Sequence, residues 1–173
     1  MHKIYIVLTY TGSFLARIVR GYTRKEFSHV SISLDKNLNE MYSFGRLNPY
    51  NPFIGGFVQE SPKYGTFKRF SKTITKIYSL EVSEEQYNKI SSVIKSFSNN
   101  RNYYQFNTLG LFAVPFHLKI CKDKKFYCAE FVKYVLDCSD LDVDLPEIVK
   151  PNDFVRLKGL KEIYSGMLSE YKT

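Results

Sequence analysis

Two residues of this chain have the type and surroundings that thiol chemistry needs. Cys128 follows Lys124-Lys125-Phe126-Tyr127 and opens a run, 127–138, in which Phe131, Val132, Val135 and Leu136 recur at helical spacing. A cysteine in the first turn of such a helix meets free backbone N–H groups and the positive end of the dipole, and both favour thiolate over thiol. His29 opens the run His29-Val30-Ser31-Ile32-Ser33-Leu34, which alternates small polar and apolar side chains as a half-buried strand does. Ser31 and Ser33 share the face of His29 and would let a helix come close on that side. A Cys–His pair at a helix N-terminus is the arrangement from which a thiol attacks an acyl carbon. Each residue also has an ordinary reading, as an inert buried thiol and as a histidine satisfied within its strand.

The remaining His and Cys carry less. Cys138 closes the same helix, where the dipole opposes a thiolate. Cys121 precedes Lys122 in a loop, His2 is terminal, and His117 sits in an apolar run. His117, Cys121, Cys128 and Cys138 could be gathered on zinc, but their intervals are irregular and contain no C-x₂-C pair. No metal and no organic cofactor is expected. Three Cys are too few for a disulfide framework. No signal h-region or spanning segment is present, and a cytoplasmic protein is expected.

The elements that must position the pair can be read from periodicity. Residues 3–11 form a buried strand; Ser13 caps a helix over about 14–22; residues 29–34 and 40–45 make a hairpin. Pro49 to Gly56 reads as a long loop with Phe53 and Ile54 near its tip, and Phe57–Glu60 and Thr66–Phe70 as short strands. Residues 76–82 form a stronger strand, and Ser83-Glu84-Glu85-Gln86 is a capping box that opens a helix ending near 98–102. Residues 103–120 have no clear assignment, Pro151-Asn152-Asp153-Phe154 is a helical turn, and 160–171 is strand or helix. The expected fold class is α+β: one domain, 1–173, with an antiparallel sheet of five or six strands, packed helices, and the Cys helix against the His strand.

With 173 residues, 44% hydrophobic and 24% charged, the chain can bury a core of its own. The net charge of +8 would suit nucleic acid, an anionic membrane surface or an acidic substrate. The cations are scattered, the densest cluster being Lys122, Lys124 and Lys125, and no nucleic-acid motif accompanies them, so no nucleic-acid partner is expected.

The His29 strand, its hairpin partner Met41-Tyr42-Ser43-Phe44-Gly45-Arg46 and the later helix Phe126-Tyr127-Cys128-Ala129-Glu130-Phe131-Val132-Lys133-Tyr134-Val135-Leu136 resemble the permuted papain-like cysteine hydrolases. These form the circularly permuted branch of the NlpC superfamily, with the YiiX-like proteins and the lecithin retinol acyltransferase group. In the unpermuted branch the Cys helix precedes the His strand; here His comes first. The resemblance covers about residues 3–155. It implies a circularly permuted papain-like core, Cys128 as nucleophile and His29 as general base. It also implies the backbone N–H of Cys128 as one oxyanion donor. Tyr104 is the candidate for the second donor, its other reading being an aromatic core residue.

The third member departs from the family's pattern, which sets a polar residue on the strand beside the His. Pairing Leu34 with Glu40 places Gly45 opposite His29 and makes Ser43 the nearest side chain on that face. Glu60, on the next strand, is the alternative. Position favours Ser43 and charge favours Glu60. The expected activity is thiol-dependent hydrolysis of an amide or ester of a small-molecule, peptide or lipid acyl substrate, in the manner of an amidase or peptidase. The alternatives are a lipid acyltransferase with peripheral membrane contact, and a silent binding module on the same fold.

Overall fold

The apolar run near the start becomes the centre of a sheet. The computed structural model describes residues 1–116, 118, 120 and 124–172. Strand β1 (His2–Tyr10) carries Ile4, Ile6 and Leu8 on one face and Val7 on the other, all without exposure. A strand covered on both faces belongs inside a sheet. It pairs antiparallel with β2 (His29–Ser33) on one side and β5 (Ile74–Val82) on the other. Beyond β2 lie β3 (Met41–Asn48) and β4 (Asn51–Glu60); beyond β5 lies β8 (Lys161–Met167). The order β4-β3-β2-β1-β5-β8 is antiparallel at every step, and the fold is α+β. The 160–171 tail is thus an edge strand followed by a single 3-10 turn.

The two faces are covered unequally. Helices α3 (Glu84–Asn99) and α5 (Cys128–Asp137) lie on the Ile4/Ile6/Leu8 face, where Ile90, Ile94, Phe97, Phe131, Val132 and Leu136 close the main core. Phe131 has ring neighbours Phe44, Phe57 and Phe97 at 5.1–5.5 Å. Burying a side chain of that size is worth about 2–3 kcal/mol. The capping box of α3 forms as its sequence expects, Gln86 N–H to Ser83 Oγ at 3.1 Å and Ser83 N–H to Gln86 Oε1 at 2.9 Å. The other face is covered by a smaller cluster, with Val7, Met41 and Ile77 from the sheet under Phe67 and Leu168.

Three expectations need correction, and one unassigned stretch is filled. Residues 51–56 are strand: Pro49 and Tyr50 alone make the turn, held by Tyr50 N–H on Asn48 Oδ1 at 2.8 Å. The glycines that suggested a loop serve close approach; a Cβ on Gly55 would sit 2.9 Å from the Phe106 ring. Ile54 is exposed, and the side chain of Phe53 lies outside the described residues. The segment Gly65–Arg69 is a helix, α2, not a strand. Five residues with one apolar side chain to bury satisfy either period, and Phe67 is buried from a helix. The unassigned stretch holds β6 (Gln105–Phe106), parallel to β7 (Lys125–Phe126), and helix α4 (Thr108–Ala113) capped by Asn107. The Cys helix packs on the face of Val30 and Ile32, opposite the serines.

Helix α1 (Phe14–Thr23) is capped by Ser13, as expected. Between α1 and β2 the chain is fixed from far away. Asn152, in the turn Pro151–Arg156, accepts from Phe27 N–H at 3.3 Å and donates to Phe27 O at 2.6 Å. Among the described residues no helix is long and apolar enough to cross a membrane.

Candidate active site

Cys128 is the first residue of α5, so its own N–H has no partner within the helix. The residue before it, Tyr127, is extended (φ −99°) and tied on both sides. Its N–H donates to Glu130 Oε2 at 3.0 Å and its hydroxyl donates to Val149 O at 3.0 Å. Asn107 Nδ2 also donates to Glu130 Oε2, at 3.3 Å, which joins the start of α5 to the cap of α4. The sulfur-bearing residue is thereby held at a fixed helix start, only 4% exposed.

His29 is the first residue of β2, paired with Thr9 of β1. Its Nε2 lies 3.0 Å from Glu60 Oε1 and 3.2 Å from Oε2. Ser31 Oγ donates to Glu60 Oε2 at 2.5 Å, so both carboxylate oxygens are engaged. The ring is 19% exposed and the carboxylate 8%. Nε2 is committed to Glu60, and Cys128 lines the same cleft as the ring. Burial alone would push the imidazole down. The charge of Glu60, then the charge and hydrogen bond of Cys128, then the Glu60 hydrogen bond outweigh it, and the pKa stands well above the ordinary 6.5. The arrangement therefore favours imidazolium.

How Glu60 reaches the ring follows from what it crosses. It stands opposite Met41 on β3, and its carboxylate reaches the position of Gly45. A Cβ on Gly45 would lie 3.2 Å from Glu60 Oε1 and 3.6 Å from His29 Cε1. The small residues of the His face thus accommodate a carboxylate from a strand two places away. Phe67 of α2 closes this side, its ring 6.4 Å from that of His29.

Ser43, the position the hairpin register favours, does not touch the ring. The register itself is as expected, with Ile32 opposite Tyr42 and Ser33 opposite Met41. Ser43 Oγ donates instead to Val30 O at 2.8 Å, taking a carbonyl of β2 beyond the paired residues. The short Ser43 side chain is used up on the neighbouring backbone, whereas Glu60 has two more carbons of reach. Tyr104 stacks on Phe97 with ring centroids 4.2 Å apart and belongs to the aromatic core. Alternation alone gives Ser31 only the part of a small residue that lets a neighbour come close. Its place two residues along from His29 was the signal that its hydroxyl shares the site.

The pair opens into a cleft exposed to solvent on one side. Leu15, Val19, Phe106 and Leu111 give it apolar walls, and Arg46 and Ser13 a polar end. Tyr22 stands nearby, its hydroxyl donating to Leu111 O at 3.2 Å; burial and the charge of Cys128 push its pKa up. Of the zinc set considered from sequence, His117 and Cys121 lie outside the described residues, as does Lys122 of the basic cluster. Cys128 and Cys138 stand at opposite ends of α5, about 15 Å apart at 1.5 Å per residue. Among the described residues no group of three His, Cys, Asp or Glu side chains is placed to hold a metal ion. No protein-family model matches the chain, and no curated protein matches it.

Proposed function

We propose that the chain is a thiol-dependent hydrolase acting on an amide or ester acyl bond, on a circularly permuted papain-like core. The observation that carries this reading is the buried Glu60–His29 ion pair set against the thiol at the start of α5, on the wall of an open cleft. Cys128 Sγ attacks the acyl carbon, and a C–S bond forms as the bond to nitrogen or oxygen breaks. His29 gives its proton to the departing amine or alcohol. Water then adds to the thioester, passing a proton to His29, and the acid leaves as Sγ recovers. Glu60 is a positioning residue: it holds the ring and stabilises its charge, with Ser31 holding Glu60. The Cys128 N–H supplies one oxyanion donor at the helix start. The free thiols of Cys128 and Cys138 fit a reducing compartment, the cytoplasm.

A second reading, acyl transfer involving lipid, is favoured by exposed apolar residues on the helices that flank the cleft. Phe14 opens α1, while Leu109 and Phe112 lie on α4 with Phe116 just beyond. Iodoacetamide labelling, read site by site by peptide mass spectrometry, tests the common chemistry. Cys128 is expected to react at least a hundredfold faster than Cys138 at pH 6, by the thiolate advantage of an ion pair. Equal rates would leave a silent binding module. Flotation with anionic liposomes separates the lipid reading, which requires the protein to float.

A further inference from the structure

The cleft has a cation, Arg46, that no carboxylate among the described residues pairs with. Arg46 lines the same wall as His29 and Cys128. Its Nη2 donates to Ser13 Oγ at 2.7 Å, a neutral group that also accepts from Thr11 Oγ1 at 3.0 Å and caps α1. Its guanidinium lies over the Phe70 ring at 5.5 Å. Among the described residues no carboxylate forms an ion pair with it. The one carboxylate that lines the cleft, Glu60, is held by His29 and Ser31.

The charge that acts on Arg46 has the same sign. Burial, then the guanidinium of Arg69, push its pKa down. Arg69 is itself fixed, over the Tyr50 ring at 4.4 Å and bonded to Pro49 O. A half-buried guanidinium with a like-charged neighbour is electrostatically unfavourable as it stands, and an incoming anion would relieve both costs. The guanidinium fork offers five donors, of which Ser13 occupies one; such a fork matches a carboxylate or a phosphate with two parallel bonds.

We propose that Arg46 is a specificity-determining residue: the cleft takes an acyl substrate carrying an anionic oxygen group, carboxylate or phosphate, seated on Arg46, with its apolar part against Leu15, Val19, Phe106 and Leu111. The inference deepens the hydrolase reading above and rests on it for the word substrate. It is separate from the lipid question, because the anionic group is required on any backbone that enters.

Two alkylating agents of nearly equal size test it. Iodoacetate carries the carboxylate and iodoacetamide does not; each loses iodide to the Cys128 thiolate. The ratio of their rates at Cys128 is measured at pH 7 in the unaltered chain, in Arg46→Gln, in Arg46→Lys and in Lys25→Gln, the last a control on an exposed residue away from the cleft. The ratio is expected to fall about tenfold in Arg46→Gln, the effect of one charge at close range, to hold in Arg46→Lys, and to stay unchanged in Lys25→Gln. The iodoacetamide rate in Arg46→Gln reports whether the site is still folded. A ratio unchanged in Arg46→Gln, or lowered equally in Lys25→Gln, overturns the proposal. Should Cys128 prove no faster than Cys138, the hydrolase reading fails, and binding alone decides this one. Glutarate and inorganic phosphate are then titrated against the ¹⁵N-labelled chain, and the arm that saturates says which anion fits. Saturable shifts at the Gly45 amide, lost in Arg46→Gln, would uphold an anion seat; no Arg46-dependent shift with either would overturn it.

Discussion

The two ends of α5 each carry a cysteine, and they differ in every respect that governs a thiol. Cys138, at the C-cap, is exposed, preceded by Asp137, at the negative end of the helix dipole. Its neighbour Tyr134 has its phenol pushed up, first by a hydrogen bond with Cys138 and then by the Cys138 charge. Cys128, at the N-terminus, is nearly buried and faces an imidazole that its surroundings keep charged. Accessibility alone would select Cys138 as the reactive thiol. Charge selects Cys128, because nucleophilic attack depends on the thiolate and on what stabilises it. On the hydrolase reading proposed above, one helix holds two thiols in opposite surroundings, and the partner on a distant strand makes the difference.

Removing the charge behind the imidazole should break that contrast most. Glu60→Gln is expected to lower the alkylation rate of Cys128 at pH 6 about a hundredfold, between the effect of a lost hydrogen bond and that of a lost orienting carboxylate. The rate at Cys138 should not change. The same variant should lose about 3 kcal/mol of stability, the low end for breaking a buried pair. That loss has a definite pH window. The folded pKa of His29 is raised, so the pair contributes in full below 6.5 and its contribution fades as pH rises through the folded value. Denaturant melts of both chains should therefore differ most near pH 6 and converge at higher pH.

A smaller change sharpens the contrast by moving the carboxylate without removing it. Gly45→Ala adds a methyl group 3.2 Å from Glu60 Oε1, close enough that the carboxylate must give by a few tenths of an ångström. The Cys128 rate is expected to drop about tenfold, with the pH dependence shifted toward that of Glu60→Gln. A rate equal to that of the unaltered chain would show that the ion pair tolerates displacement.

Ser43→Ala should be the quietest. Its hydroxyl serves Val30 O, so stability should fall by about 1 kcal/mol. The rate at Cys128 and its pH profile should stay as they are. A shift in the profile would return Ser43 to the candidate site.

Much of this arrangement was legible before any coordinates. Residue type and helical spacing mark Cys128, alternation marks His29, and the pairing of Leu34 with Glu40 sets the hairpin register that the sheet adopts. The rest depended on information that local pattern lacks. Proline and glycine at 49–56 suggest a loop, yet their pairing partners on β3 make them strand, and that extension is what fixes Glu60 beside the site. A register names the nearest neighbour but not the longest reach, which is why a two-atom serine side chain looked better placed than a glutamate one strand further out. Arg46 stood in the hairpin from the start, but the register shift beside it in β3 hid its direction from any rule of alternation.

The amide of Asn152 that grips Phe27 has a consequence for how the protein comes into being. His29, Glu60 and Cys128 all precede Asn152 in the chain, yet the segment entering the His29 strand is secured by a residue 125 positions later. Pairings of that separation are the slowest to form, since the intervening chain must be ordered before they can close. During synthesis, a nascent chain already holds Cys128, His29 and Glu60 while the clasp on Phe27, two residues before His29, is still to be made. The surroundings of Cys128 and His29 are completed late, when nearly the whole chain has condensed around them.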